Sequence, residues 1–457
     1  MKRTMIIVMS LAFCLTTQAQ VLSLDSCLNL ARQNNHQLRQ QHYAVEKAQQ
    51  VRNEARTKYF LQVQAQAVGY HSLHPYIEYG IDDIEHAGVR DILNTLYGNY
   101  GAALGLPNSI SLLQKGIVAG VSAVQPVYMG GKIVAGNRLA KVGVEAAELQ
   151  EQIAERDLLL QVEESYWLVV GLEEKQKTVE VAAVLLDTLQ QVVSAAANVG
   201  LAMPADILRV ELKQSELEAQ TLQLTNGIRL ARRALCQSIG IDYTDSLQLE
   251  NVTEDSINAP MTNGQMTNDA RPEHQLLALQ VRAAQLEKRM TLADALPHVA
   301  VGGAYAYNNL LDKDRLNGSL FCMVQVPLTA WWETGHKLKE HDITIRQAQE
   351  QQTDLNEKML LQTQQAFDRW TEQNALVTQQ HKAYAIAEEH YRLTLLNYQA
   401  GYATISDLLE AHTTLYQTSN ALTDARLSAR LAWRQYNALT RQSRISCISR
   451  SNRALGV

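Results

Sequence analysis

The sequence predicts a mainly α fold with a smaller β component, in which long coiled-coil helical hairpins are joined to four β-strands. The motif G-x-A-x-x-x-D-[IL]-L begins at Gly200 and again at Gly401, so the chain contains an internal duplication. A seam of apolar and small residues, spaced alternately by three and four, follows each copy and is typical of a helix packed along another helix. Four shorter segments alternate residue by residue instead, which is the period of a β-strand.

Each copy of the motif is expected to form the turn of a helical hairpin. A glycine ends a helix readily, and an aspartate six residues later can cap the start of the next one. Gly200 and Asp206 supply these residues in the first copy, and Gly401 and Asp407 supply them in the second. The first seam consists of Ile207, Val210, Gln214, Leu217, Thr221, Leu224, Ile228, Ala231, Leu235 and Ser238, and the second of Leu408, Ala411, Leu415, Thr418, Leu422, Ala425, Ala429, Ala432, Tyr436 and Leu439.

Composition excludes several classes of function. The chain has 457 residues, 46% of them hydrophobic and 6% aromatic, which suits long helices better than a sandwich or a layered α/β fold. A net charge of −6 provides no footprint for nucleic acid. We find no glycine-rich phosphate loop, nucleophile elbow or H-E-x-x-H motif, so we expect no enzyme activity, cofactor or metal. The scattered Cys27, Cys236, Cys322 and Cys447 are expected to be isolated thiols.

Residues 1–19 have the pattern of a secretory signal peptide. Two basic residues precede an apolar run, and small residues stand at the cleavage positions that end at Ala19. A lipoprotein signal at Cys14 is the weaker alternative, because bulky Phe13 precedes it. No later run of about 18 apolar residues is apparent, so any membrane crossing is expected to be β.

The mature chain divides into two repeats. We assign residues 20–240 to repeat 1, 241–270 to a linker, 271–440 to repeat 2 and 441–457 to a disordered tail. Each repeat is expected to contain a helix, two strands and a long helical hairpin. The first helix is predicted over 22–58, and repeat 1 carries an irregular insertion at 72–116 between its strands.

Alternation in the strand segments separates an apolar face from a polar face. Leu61, Val63, Ala65 and Ala67 alternate with Gln62, Gln64 and Gln66 in the first segment, and the second runs from Ile117 to Tyr128. In repeat 2, Val299, Val301, Tyr305 and Tyr307 share one face, as do Leu320, Cys322, Val324, Val326 and Leu328. Such a pattern fits a barrel strand with a wet inner wall or the edge of a soluble sheet. Trp331 and Trp332 follow the last strand, where interface aromatics of a bilayer are expected.

The insertion also contains candidate metal ligands. They are His71, His74, Glu78, Glu85 and His86, and a solvated loop is favoured over a metal site because no helical frame fixes their geometry.

The order helix–strand–strand–long helix–GxAxxxD–helix, found twice behind a signal peptide, resembles the TolC family of outer-membrane efflux and export channels. The segment Gln125-Pro126-Val127-Tyr128-Met129-Gly130-Gly131-Lys132 and the two hairpin motifs carry the resemblance. It implies a homotrimer in the outer membrane of a Gram-negative bacterium that extends into the periplasm. Three chains would contribute four transmembrane strands each to a 12-stranded β-barrel, and their helices would form an α-barrel tunnel. The loops at 72–116 and 308–317 would face outside, and both hairpin turns would lie at the periplasmic tip.

The resemblance also implies roles for residues at the tip. Asp407 and Glu410 would form an acidic periplasmic gate, although a capping box with Asp407 as the cap and Glu410 at the third helical position is the alternative. Tyr398 would tie to Asp206 of the other hairpin, or else pack on its own helix. Because Ala403 and Ala205 stand where some members place a second, arginine-based tie, any latch here differs in part.

Gly200, Ala202, Gly401 and Ala403 at the turns would dock a periplasmic adaptor, itself linked to an inner-membrane RND, ABC or MFS pump. The resemblance therefore implies the exit duct of a tripartite efflux or type I secretion system, embedded in outer-membrane lipid. Drug efflux and protein secretion stay open, because the pump selects the cargo. A periplasmic coiled-coil scaffold without channel activity is the alternative from another class of protein.

Overall fold

The computed structural model describes residues 21–74, 77–101, 109–112, 115–200, 202–243, 248–250, 271–309 and 314–440. The expected signal peptide, the expected tail and most of the expected linker lie outside the described residues. The chain forms two compact units. One, which we call the helical unit, comprises Met1–Lys47, Glu145–Leu279 and Gln349–Val457. The other comprises Ala48–Val144 and Gln280–Ala348.

Helices dominate the described residues. They are α1 (Leu24–Asn34), α2 (His36–Thr57), α3 (Ala87–Leu96), α4 (Lys132–Asn198), α5 (Pro204–Ile239), α6 (Pro272–Asp294), α7 (Ala330–Gln399) and α8 (Ile405–Thr440). The two copies of the duplicated motif form the turns of the helical hairpins α4–α5 and α7–α8. By length and composition alone, α4 passes as a candidate membrane span, which the sequence analysis did not anticipate. Its apolar side chains supply much of the core of the helical unit, including Val162, Val169 and Val193.

The prediction of one helix over 22–58 is wrong, because the helix breaks at Asn35. The backbone of Asn35 is extended, with φ −64° and ψ 128°. Its side-chain Nδ2 donates to the carbonyl oxygen of Ser238 at 2.8 Å, while Oδ1 accepts from the backbone N–H of Gln37 at 2.8 Å. The same residue therefore ends α1, caps α2 and holds both against the end of α5.

The predicted seams form the interior of the helical unit. Val210, Leu235, Leu408 and Ala411 are fully buried, and other seam positions are buried or half-buried. One apolar cluster joins α1, α4 and α5 around Tyr166 and Leu235. The thiols Cys27 and Cys236 both belong to it and are free, and burial raises the pKa of Cys27 to about 11.

Four antiparallel strands form the main sheet, in the order β2-β5-β7-β8, where β2 is Gln62–His71, β5 Lys115–Met129, β7 His298–Asn308 and β8 Arg315–Gln325. The last strand was predicted to include Val326 and Leu328. It ends at Gln325, so both residues fall outside it, since Pro327 has no N–H to continue the ladder. Pro126 in β5 also disturbs the ladder, because the strand register shifts between Pro126 and Tyr128.

The strand register brings the apolar faces of all four strands together. Ala65 pairs with Val121, Val121 with Tyr305, and Tyr305 with Gly318. Residues paired across an antiparallel ladder share one face of the sheet. One residue along, Gln64 pairs with Ser122, Ser122 with Ala304, and Ala304 with Ser319, which produces the polar face. The sheet is thus two-sided, and side chains on its apolar face such as Val63, Val121 and Leu320 are exposed in the single chain.

The insertion at 72–116 is not irregular in its described parts. It contains a second sheet of β3 (Ile77–Gly80) and β4 (Ser109–Leu112), a short 3-10 turn and α3. Sequence periodicity missed these strands because each has only four residues. No group of three or more potential metal ligands lies together within the part of the chain that the structure describes. A further pair of two-residue strands, β1 (Val21–Leu22) and β6 (Gln248–Leu249), is parallel.

Candidate functional site

The turn of the second hairpin is built by Gly401. Its φ is +82°, and the backbone N–H of Tyr402 donates to the carbonyl oxygen of Asn397 at 2.8 Å. The N–H of Gly401 donates to the backbone carbonyl oxygen of Tyr398 at 3.0 Å. This pattern satisfies the last carbonyls of α7 and reverses the chain within five residues. Gly200 has a φ of +77° at the matching place after α4.

Asp407 is the third residue of α8 rather than its cap. Thr404 is the cap. The backbone N–H of Thr404 donates to Asp407 Oδ2 at 2.8 Å, and Thr404 Oγ1 accepts from the N–H of Asp407 at 3.2 Å. The predicted capping box is therefore wrong by one turn, because Asp407 occupies the position assigned to Glu410. The backbone N–H of Thr404 and its hydroxyl, which also donates to Asp407 Oδ2 at 2.8 Å, hold the pKa of Asp407 below its ordinary value.

Glu410 lies one turn further along α8 and takes no part in the cap. Both Asp407 and Glu410 are exposed, whereas Leu408 and Leu409 between them are buried. The two carboxylates thus share the exposed face of α8, where they are free to meet solvent or cations.

Asp206 occupies the equivalent position in the first hairpin, third in α5 after Pro204. Its Oδ2 accepts from the N–H of Met203 at 3.1 Å, and its Oδ1 accepts from Arg209 at 3.1 Å. The second helix of this hairpin, α5, therefore begins with the same carboxylate contact to the cap residue as α8, although the cap residue is methionine in α5 and threonine in α8.

One apolar cluster joins the ends of the two hairpins. It includes Val193 and Val210 from the first hairpin and Ile405 and Leu408 from the second. Tyr398 and Ala202 pack against it. Burial raises the pKa of Tyr398, and the negative charge of Asp206 raises it further. Tyr398 thus lies within electrostatic range of Asp206, whose hydrogen bonds in the structure go to Met203 and Arg209.

Arg209 stands in the first hairpin where the second has Glu410, and it contacts both hairpins. Its Nη1 donates to Asp206 Oδ1 on its own helix and to Ser406 Oγ on α8 at 3.2 Å. The spacing from Asp206 is a detectable helical ion-pair signal. The contact with Ser406, 197 residues away, has no counterpart in local sequence.

The residues expected to dock an adaptor lie at open turns. An added Cβ at Gly200 or Gly401 would meet nothing within 4 Å, and Ala202 and Ala403 are half-buried. Large apolar side chains beside them are also exposed, and no pattern in the sequence singled them out. Tyr402 is 87% exposed, Met203 71% and Val199 70%.

Aromatic side chains gather at one end of the main sheet. Trp331 and Trp332, at the start of α7, are 50% and 82% exposed. Tyr59, Phe60 and Tyr128 are also exposed. They were not predicted as interface aromatics, because no tryptophan pair such as Trp331-Trp332 draws attention to them in the sequence. Strands β2 and β7 begin at this end and β5 and β8 finish there, so the register brings these residues to the same end of the sheet.

Comparison with known proteins identifies the family. The profile of the outer membrane efflux protein family matches residues 27–241, which include α1, the first strand pair and the first hairpin. Over these residues the chain matches the outer membrane efflux protein family. The chain is located in the outer membrane, and the solved structures that it resembles include outer-membrane channels.

Relatives and solved structures agree with this match. The pyoverdine export outer membrane protein OpmQ of Pseudomonas aeruginosa is 24% identical over 319 residues, which span 68% of this chain and 66% of OpmQ. The outer-membrane channel OprN has a TM-score of 0.75 at 14% identity, covering 91% of this chain and 89% of its own. The outer membrane protein VceC of Vibrio cholerae has a TM-score of 0.73 at 17% identity, covering 91% and 96%. These structures establish a shared fold for this efflux protein.

Proposed function

We propose that this chain is the exit duct of a tripartite efflux or type I secretion system. It would conduct substrates passively across the outer membrane, without catalysis, after an inner-membrane RND, ABC or MFS pump and a periplasmic adaptor deliver them. The observation that carries the proposal is the two-sided sheet, whose exposed apolar face is joined in the same chain to paired helical hairpins.

The open edges of the sheet support a trimer. Among the described residues of one chain, β2 and β8 each have one unpaired edge, and lipid does not tolerate unpaired backbone groups. Three copies closing edge to edge give a 12-stranded barrel with its polar face around water. Repeat 1 (20–240) and repeat 2 (271–440) would each supply two strands and one hairpin, and the loops at 72–116 and 308–317 would face outside. Trp331 and Trp332 would mark the inner boundary of the lipid.

Asp407 and Glu410 are proposed as the periplasmic gate. Threefold symmetry would place six carboxylates around one opening, which favours cations. Their exposure on one face of α8 supports this role, and the depressed pKa of Asp407 keeps that carboxylate charged at neutral pH. Tyr398 and Asp206 are proposed to help hold the tip closed. Gly200, Ala202, Gly401 and Ala403, together with the exposed Tyr402, would meet the adaptor.

The proposal is tested with the purified full-length protein in planar lipid bilayers. We expect trimers that form cation-selective channels. Asp407→Asn combined with Glu410→Gln should reduce cation selectivity about threefold or more, since the charge lining the opening is removed. Glu218→Gln is the matched control, because this exposed carboxylate of α5 lies away from the turns.

The same recordings test the tie. Tyr398→Phe and Asp206→Ala should each raise conductance, and unchanged conductance in both would remove the tie from the proposal. A monomeric product that leaves bilayers electrically silent would contradict the duct and favour the periplasmic scaffold.

A further inference from the structure

We infer that Arg209 is a positioning residue that ties the two hairpins of one chain together and also sets the charge of the channel mouth. The inference rests on the proposed duct. Its basis is the pair of hydrogen bonds from one guanidinium nitrogen, to Asp206 Oδ1 at 3.1 Å on α5 and to Ser406 Oγ at 3.2 Å on α8.

The acceptors of Arg209 are held by the first turns of both return helices. Asp206 is fixed by the N–H of Met203, and its side chain is only 19% exposed. Ser406 lies beside the cap formed by Thr404 and Asp407. A guanidinium presents several donors in a rigid plane, so it can serve two fixed acceptors from one rotamer. Arg209 therefore links the two helix starts directly.

The apolar cluster beneath the tie provides a restraint of a different kind. Val193, Val210 and Leu408 hold the helices together by burial, which is not directional, whereas a hydrogen bond is. A hydrogen bond between the two N-terminal turns fixes their relative position. In the proposed gate, where opening separates the ends of the hairpins, the bond between Arg209 and Ser406 favours the closed tip.

Arg209 also changes the electrostatics of the gate. Ser406 is the neighbour of Asp407, so the guanidinium places a positive charge beside the acidic pair. At physiological salt the screening length is about 8 Å, so this charge partly offsets the carboxylates. The mouth is therefore less cation-selective than the acidic residues alone would make it.

Two substitutions separate the mechanical effect from the charge effect. Ser406→Ala removes the acceptor but leaves the arginine, so it should raise the open probability without changing ion selectivity. Arg209→Gln removes the charge and, because glutamine is shorter, both hydrogen bonds, so it should raise open probability and cation selectivity together. An exposed charge-assisted bond shifts an equilibrium by about 1.5- to 5-fold, and three copies in a trimer multiply that effect.

Arg229→Ala is the matched control. Arg229 is an exposed arginine of α5 that donates to Asn226 on the same helix, so its loss should leave gating and selectivity unchanged. All variants are compared as folded trimers by their heat stability in detergent. The double variant of Arg209 and Ser406 should show no larger rise in open probability than Arg209→Gln alone, because both changes remove the same hydrogen bond between Arg209 and Ser406.

The outcomes distinguish this inference from the proposed function. If the wild-type protein conducts and both Ser406→Ala and Arg209→Gln gate as it does, the tie is wrong and the duct stands. If Arg209→Gln leaves selectivity unchanged, the charge role is wrong. A wild-type protein that never conducts overturns the duct itself.

Discussion

Three glycines with a positive φ show how one backbone conformation serves two different surroundings. Gly200 and Gly401 end helices at open turns, where a Cβ would meet nothing within 4 Å. Gly240 ends α5 with a φ of +72°, but its Cβ position lies 2.7 Å from the carbonyl oxygen of Asn34. There glycine is required both by the left-handed conformation and by the close approach of α1.

Gly240→Ala should therefore destabilise the protein by about 3 kcal/mol, since left-handed strain adds to a clash with backbone atoms. Gly401→Ala, the matched change at an open turn, should cost only about 1 kcal/mol. Thermal unfolding followed by helical circular dichroism measures the difference. Equal losses for the two variants would show that the packing of Asn34 on Gly240 contributes nothing.

At the scale of elements, α8 carries a buried titratable group next to its exposed gate residues. His412 is 6% exposed, and its Nε2 lies 3.2 Å from the carbonyl oxygen of Ala182 on α4. The ring of Tyr391 from α7 meets it edge-on, and the charge of Lys213 reaches it from α5. Burial lowers the pKa of His412 below 6.5, and Lys213 lowers it further, while the bond to Ala182 acts in the opposite direction.

This packing predicts a pH-dependent stability. Because the folded pKa lies below the unfolded value, the unfolded chain binds a proton first as pH falls, so stability is full above about 6.5 and declines below it. The melting temperature should fall between pH 7.5 and 5, and His412→Gln should lose most of that fall. His274→Gln, at a half-buried histidine of α6, is the control. An identical pH dependence in wild type and His412→Gln would contradict the assignment.

At the scale of the whole molecule, the main sheet has the two faces that a membrane barrel needs. Val121 and Ser122 are neighbours on the central strand β5, yet their partners differ in character. Val121 lies between Ala65 and Tyr305, and Ser122 lies between Gln64 and Ala304. In the proposed trimer the first face meets lipid and the second meets water.

Val121→Lys should prevent assembly of trimers in the outer membrane, because a lysine facing mid-bilayer lipid costs about 2–4 kcal/mol in each chain. Ser122→Lys should assemble and reduce cation selectivity, because its charge faces the channel. Trimer yield on unheated gels and bilayer recordings measure both effects. Normal assembly of Val121→Lys would show that this face does not meet lipid.

The sequence by itself determined the hairpins, their turns, the seams and the two faces of the four strands in the main sheet. These features are periodic, and a period of 2 or 3.6 residues directly reflects which side of an element is buried. The duplicated motif identified both tips and their acidic residues, and the order of elements indicated the family. It placed Asp407 and Asp206 at helix starts, although it misassigned the cap by one turn.

Tertiary structure decided the features that depend on residues distant in the chain. Asn35 breaks a helix because Ser238 accepts its side chain, and scattered Cys27 and Cys236 enter one buried cluster. Arg209 meets Ser406 across 197 residues, and the register aligns the apolar faces of four strands. Periodicity constrains each element separately, whereas these contacts exist only once packing has brought the elements together.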